Sequence, residues 1–191
     1  MKPIGIFYAT REGHTRLIAE RIAIALRTLG LRAETHDLRA SSVELGHYDA
    51  AILAASVHAG SHEAEMSNFV KQHRAQLDAM PNAFLSVTLS QVGVEDLSRP
   101  PADRARFAAD VESVIENFRR QTGWNPKQVK PVAGALTYSQ YNFLIRFIMK
   151  RIARKAGAPT DTSRDYEFTS WTGLDAFAAN FANEIRGVNA N

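Results

Sequence analysis

The chain has 191 residues, a formal net charge of +3 and no cysteine. That length suits one domain, residues 1–191, with a core large enough to need no staples. The lack of cysteine excludes disulfides, thiolate metal sites, iron–sulfur ligation and cysteine nucleophiles. The charge is too slight to argue for nucleic acid, and no apolar run approaches the ~20 residues of a spanning helix. Met1-Lys2-Pro3-Ile4-Gly5 has none of the pattern of a secretion signal, so a cytoplasmic protein is expected.

Ile4 to Tyr8 is a short apolar run and predicts a buried parallel strand. A polar turn, Ala9-Thr10-Arg11-Glu12-Gly13-His14-Thr15, follows it. Leu17, Ile18, Ile22, Ala25, Leu26 and Leu29 then recur at helical spacing, with Gly30 as a C-cap candidate. Arg32 to Leu38 reads as the second strand and Ala50 to Val57 as the third. Glu63 to Leu77 is helical, with Met66, Phe69, Val70 and Leu77 as its inner stripe. Ala83 to Leu89 is the fourth strand. Ser90 to Pro101 contains Gly93, Ser98, Pro100 and Pro101 and reads as a loop. Asp103 to Thr122 is helical, Val129 to Leu136 is the fifth strand, and Tyr138 to Gly157 is an apolar and basic helix. A polar stretch with Pro159 leads to a last helix from Leu174 to Arg186. Strands alternating with helices imply a parallel sheet covered on both faces.

The first turn carries the clearest local chemistry. A phosphate placed after the first strand would meet unpaired backbone N–H groups and the positive end of a helix dipole. Thr10 and Thr15 offer hydroxyls, and Gly13 permits close backbone approach. No Lys-Ser/Thr pair follows a P-loop glycine, and no Gly-x-Gly-x-x-Gly is present, which excludes the nucleoside-triphosphate and dinucleotide fingerprints. A plain strand-to-helix turn capped by Thr, with no ligand, stays open at this point. Glu12 requires that its carboxylate point away from any phosphate. His14 is expected to matter through its backbone N–H, and His36, His47 and His73 read as surface or strand-end residues. No set of histidines and carboxylates has metal-ligand spacing, so no metal is expected. Glu63, Glu65, Asp161 and Asp165 lie in polar stretches and read as solvated. Ser56 lacks the flanking glycines of a nucleophile elbow.

The Thr-x-x-Gly-x-Thr of the first turn resembles the phosphate loop of flavodoxins. The further pieces are Ala54-Ala55-Ser56, Met80-Pro81-Asn82-Ala83-Phe84, Ser86-Val87, Ala133-Gly134-Ala135-Leu136-Thr137-Tyr138, Thr160-Asp161-Thr162 and Trp171. Taken together, nearly the whole chain is similar to the flavodoxin-type, quinone-dependent protoporphyrinogen oxidases of bacterial haem synthesis. The resemblance implies an α/β, flavodoxin-like three-layer fold with a five-stranded parallel sheet of order 2-1-3-4-5 and FMN at the carboxyl ends of the strands. Thr10, Arg11, Glu12, Gly13, His14 and Thr15 would hold the phosphate. Ser56, Val57, His58, Ala59 and Gly60 would lie along one side of the isoalloxazine, and Ser86, Val87, Thr88, Leu89 and Ser90 would face the other. Flavodoxins commonly put an aromatic ring in the second of these loops; here His58 is the candidate to stack or to donate a hydrogen bond, its other reading being a solvated loop histidine. His62 is a weaker candidate for the same role.

The implied activity is FMN-dependent oxidation of protoporphyrinogen IX to protoporphyrin IX with a membrane quinone as electron acceptor. The alternatives are a flavodoxin-like electron carrier, a general quinone reductase, and a flavodoxin-fold binding module without redox turnover. The basic charge stands against the carrier, since flavodoxins are usually acidic. Tyr138 to Gly157 carries Arg146, Lys150, Arg151, Arg154 and Lys155 with no acid. Tyr141, Leu144, Ile145, Ile148 and Ile152 form its apolar stripe, broadened by Phe143 and Phe147. It reads either as a helix with a basic solvent face or as a contact with an anionic membrane surface or substrate. Tyr138, Arg146, Lys150 and Arg154 are the candidate substrate or membrane residues, which would place the protein peripherally on the inner face of the cell membrane.

Overall fold

The computed structural model describes residues 1–40, 43–140, 147, 149–151, 153–154 and 160–189. In chain order the elements are β1 (Ile4–Ala9), α1 (His14–Thr28), β2 (Ala33–Asp37), β3 (Ala50–His58), β4 (Ser61–His62), α2 (Ala64–Ala79) and β5 (Asn82–Thr88). After them come α3 (Ser90–Glu95), α4 (Pro101–Thr122), β6 (Gln128–Ala133), β7 (Ala135–Leu136), β8 (Tyr166–Glu167) and α5 (Trp171–Asn189). Five parallel strands lie in the order β2-β1-β3-β5-β6. That is the expected 2-1-3-4-5 topology, with the two-residue β4 folded back antiparallel on β3 as an addition.

The sheet is buried on both faces because β1, β3 and β5 are apolar at successive positions, and alternate side chains serve opposite layers. Ile4, Ile6, Tyr8, Ile52, Ala54, Leu85 and Val87 pack against α1 and α5. Phe7, Ala9, Leu53, Ala55 and Phe84 pack with Met66, Phe69, Val70 and Leu77 of α2 and Phe118 of α4. Each large side chain so buried contributes about 1.5–3 kcal/mol. The α2 stripe is the expected one. In α1 the buried face is Ile18, Ala19, Ile22, Ala23 and Leu26, while Leu17 and Leu29 are exposed. The small Ala19 and Ala23 turn inward because α5 packs along this helix, a contact that periodicity does not encode.

The segment expected as a loop at 90–101 begins with α3. Gly93 sits on the ring of Phe107, where an added Cβ would come within 2.3 Å, so α3 is held by its fit onto α4. The expected fifth strand is two: β6 ends at Ala133, and after Gly134 the chain pairs again as β7 with β8. Of the helix expected at 138–157, Tyr138–Gln140 is a 3-10 turn. Phe147, Met149, Lys150, Arg151, Ala153 and Arg154 are helical. Tyr141, Phe143, Leu144, Ile145, Arg146, Ile148, Ile152 and Lys155 lie outside the described residues. Among the described residues no helix is long and apolar enough to cross a membrane.

Candidate functional site

The carboxyl ends of β1, β3 and β5 deliver three loops to one edge of the sheet, beside the point where strand order reverses between β1 and β3. In the first loop Gly13 has φ 85° and opens α1 with no side-chain cap. Its N–H donates to Thr10 Oγ1 at 3.1 Å. The leading N–H groups of α1, at His14, Thr15 and Arg16, have no acceptor within the helix. They mark a place where the helix dipole favours an anion. A Cβ added to Gly13 would meet nothing within 4 Å, so there is open space beside this backbone. Arg39 braces the loop, donating to Thr10 O at 2.9 Å and to Glu65 Oε1 at 3.0 Å.

His14 does more than offer its backbone. Thr169 Oγ1 donates to Ala133 O at 2.7 Å and lies 2.7 Å from His14 Nε2, so the imidazole is the donor in that pair. Burial holds the His14 pKa below its ordinary value against the opposing charge of Glu167. The ring thus ties the start of α1 to the end of β6.

The second loop is the turn between β3 and β4. Ala59 (φ 50°) and Gly60 (φ 80°) form a mirror-image tight turn. Ala59 is the only non-glycine residue with positive φ among the described residues, a conformation that costs about 1 kcal/mol or more. Beneath this turn lies Glu63, whose side chain is only 1% exposed. This corrects the reading of Glu63 as solvated. Its carboxylate is 3.2 Å from Arg11 Nε, accepts from Ser56 Oγ at 3.2 Å, and lies 3.2 Å from His58 Nε2. His58 Nε2 is also 3.3 Å from Glu12 Oε2. Both His58 contacts are within ion-pair distance, yet neither has hydrogen-bond alignment. Burial alone would raise the Glu12 pKa; His58 beside it and the Arg11 charge outweigh that and lower it. A buried carboxylate persists here because polar and cationic groups surround it. The one sequence signal for it was its place directly before α2, where a helix N-terminus favours an acid.

His62, on the returning strand, faces the core. Its ring lies edge-on to Phe84 and Phe118, each at 5.0 Å, and its Nε2 is 2.9 Å from Ser86 Oγ. Burial pushes its pKa down to about 4. Ser86 was expected at the bound group; it is instead fully buried, because it serves His62 on the core side of β5.

The loops enclose a cavity of about 540 Å³, a size typical of ligand pockets. Thr10, Glu12, His14 and Thr15 line it from the first loop, Ser56 to Gly60 from the second, and Val87 to Ser90 from the third. Arg11 belongs to the first loop, but its guanidinium turns to Glu63. Sequence reasoning missed a further part of the wall: Gly134, Ala135, Thr137, Met149, and Asp110, Ser113, Val114 and Asn117 of α4. The 3–4 residue spacing of the α4 group was visible, but which side of the helix meets a cavity was not. His58 Nε2 and Thr137 Oγ1 are buried without a hydrogen-bond partner, and both residues are on this wall. Tyr138 is corrected as a substrate or membrane candidate: it is fully buried, edge-on to Tyr166, in the small cluster that seats β7 and β8. Lys150 is half-buried and Arg154 exposed, while Arg146 lies outside the described residues. No metal-binding cluster is found among the described residues.

Comparison with known proteins places this geometry. The flavodoxin domain family matches residues 5–163. The chain is 33% identical over 181 residues to the protoporphyrinogen IX dehydrogenase (quinone) of Escherichia coli strain K12, covering 94% of this chain and 92% of that one. It is 32% identical over 179 residues to the protein of the same name from Leishmania major, covering 93% and 73%. Among solved structures, flavodoxin 1 of Bacillus cereus superposes with a TM-score of 0.51 at 16% identity, over 95% of this chain and 97% of that one. At that identity the structural likeness shows the fold alone.

Proposed function

The chain belongs to the flavodoxin domain family and is a relative of the protoporphyrinogen IX dehydrogenases, and from that premise we propose that it is an FMN-dependent enzyme oxidising protoporphyrinogen IX to protoporphyrin IX with a membrane quinone as acceptor. The observation that carries the cofactor is the uncapped N-terminus of α1 opening into a cavity walled by two further loops. The residues fit FMN: free backbone donors and open space at Gly13 suit a phosphate, and the buried Thr137 hydroxyl has capacity to spare. Bound flavin would supply a hydride-accepting centre.

The chain's own residues supply binding and electrostatics. The N–H groups of His14, Thr15 and Arg16 and the Thr15 hydroxyl would hold the phosphate. Ser56 to Gly60 and Val87 to Ser90, which line the cavity, would flank the ring. Arg11 turns to Glu63, and Glu12, the one acid of this loop, lies against His58, so the anion is met by the backbone donors rather than by either charged side chain. Exposed Phe147, Arg151 and Arg154, at helical spacing, present an apolar ring beside two cations. That surface suits an anionic bilayer, where a quinone would be met from the cytoplasmic side.

The test is anaerobic mixing of the FMN-loaded protein with protoporphyrinogen. Flavin absorbance should bleach, and added quinone should restore it faster than oxygen does. Bleaching by NADPH but not by porphyrinogen would favour a general quinone reductase.

A further inference from the structure

We propose that Asp110 of α4 accepts the pyrrole N–H groups of the porphyrinogen, so that this wall of the cavity selects the reduced macrocycle over its oxidised product; the assignment rests on the porphyrinogen reading above. Asp110, Ser113 and Asn117 recur at steps of three and four, which puts them on one face of α4. That face lines the cavity and adjoins the core side of the helix, where Phe107, Val111, Ile115 and Phe118 are buried. The rotation of α4 is fixed from the core, and its start is fixed by α3. Gly93 sits on Phe107, Arg99 and Arg106 lie over the Phe107 ring, each at 5.2 Å, and Arg104 Nε donates to Val94 O at 3.2 Å. A polar group on such a helix is better positioned than one on a loop.

The acids at the site differ in what they already do. Glu12 is engaged by His58, and Glu63 by Arg11, Ser56 and His58. Asp110 makes no ion pair or hydrogen bond with another of the described residues. It lies on a part of the wall that comes from none of the three loops assigned to the cofactor, so it is placed for the second ligand.

The chemistry of the two macrocycles then decides the discrimination. A porphyrinogen joins four pyrroles through saturated carbon bridges. The rings tilt, and their N–H dipoles can converge outside the mean plane on one acceptor. A porphyrin is conjugated and flat, and its remaining N–H groups point into its own centre, out of reach of an external carboxylate. Hydrogen bonds to an ionised acceptor are roughly twice as strong as neutral ones. The same carboxylate repels the propionates, which turns that edge of the substrate away from α4.

The experiment compares the FMN-loaded wild type with Asp110→Asn, and with Glu112→Gln as a control on the same helix. It measures kcat and KM for protoporphyrinogen, KM for quinone, the FMN dissociation constant, and protoporphyrin binding by quenching of porphyrin fluorescence. Asp110→Asn should raise the porphyrinogen KM about tenfold or more, leaving quinone KM and FMN affinity unchanged and protoporphyrin binding as tight or tighter. Glu112→Gln should behave as wild type. An unchanged porphyrinogen KM in Asp110→Asn, or an equal loss of substrate and product binding, overturns the assignment while leaving the enzyme's function intact. A wild type that FMN loads but porphyrinogen never reduces overturns the functional reading, and the assignment with it.

Discussion

The first loop brings the leading backbone N–H groups of α1 to the cavity, its turn set by Gly13 at φ 85° and by the Thr10 hydroxyl three residues earlier. In the β3–β4 hairpin the wall is held from beneath by side chains, with Glu63 contacted by Arg11, Ser56 and His58. The first arrangement is local and carries its positive potential in the helix itself. The second is a charge balance among residues up to 52 positions apart in the chain. A ligand site made from backbone tolerates most side-chain changes, whereas one resting on a buried carboxylate fails when a partner is removed.

The comparison breaks most visibly at His58. His58→Leu leaves Glu63 buried with Ser56 and the half-exposed Arg11. Removing one partner of a buried charge costs on the order of 3–5 kcal/mol, and the lower end is expected because Arg11 remains. Urea denaturation at pH 7 reads it, and adding Glu63→Gln should recover part of the loss. A cost under about 1 kcal/mol would mean that the hairpin does not rest on this cluster.

The other end of the hairpin gives a pH signature. The His62 pKa is about 4 in the fold, against an ordinary value of 6.5. Between those values the unfolded chain binds the additional proton, so this contribution to stability is complete above pH 6.5 and is lost as pH falls toward 4. Its size is roughly 3 kcal/mol. Glu12, with a lowered pKa, adds stability that is lost only further into acid, as pH falls from its ordinary value of 4.5 through its folded one. Denaturation midpoints across this range should decline in wild type and decline less steeply between pH 6.5 and 4 in His62→Gln, where His14, also lowered by burial, still contributes. Parallel curves for the two proteins would remove His62 as the cause.

The smallest change in free energy belongs to the first loop. Thr15→Ala should lower FMN affinity about ten- to a hundredfold, equivalent to about 1.5–3 kcal/mol for a lost hydrogen bond to a charged group. It should destabilise the flavin-free fold less than His58→Leu does. Titration of flavin fluorescence measures it, and an unaltered affinity would move the phosphate elsewhere.

The amino-acid sequence by itself determined the parts whose physics is local. Apolar runs marked β1, β3 and β5 because a strand buried on both faces has no polar positions to offer, and the first loop was legible because a glycine, two threonines and a following helix suffice to make it. The inner stripe of α2 was legible for the same reason, since helical spacing alone selects Met66, Phe69, Val70 and Leu77. Burial of polar residues was decided only by the tertiary structure. Glu63 sits in a polar stretch and is nonetheless enclosed, because Arg11 arrives from the loop after β1 and Ser56 from β3. Ser86 and Tyr138 looked like site residues and are core residues, since His62 and Tyr166 close over them. Asp110 is an exposed acid on a long helix that no motif marks. It reaches the cavity because Phe107 and Phe118, buried beside that face, fix the rotation of α4, and no local pattern states which neighbour a helix will meet.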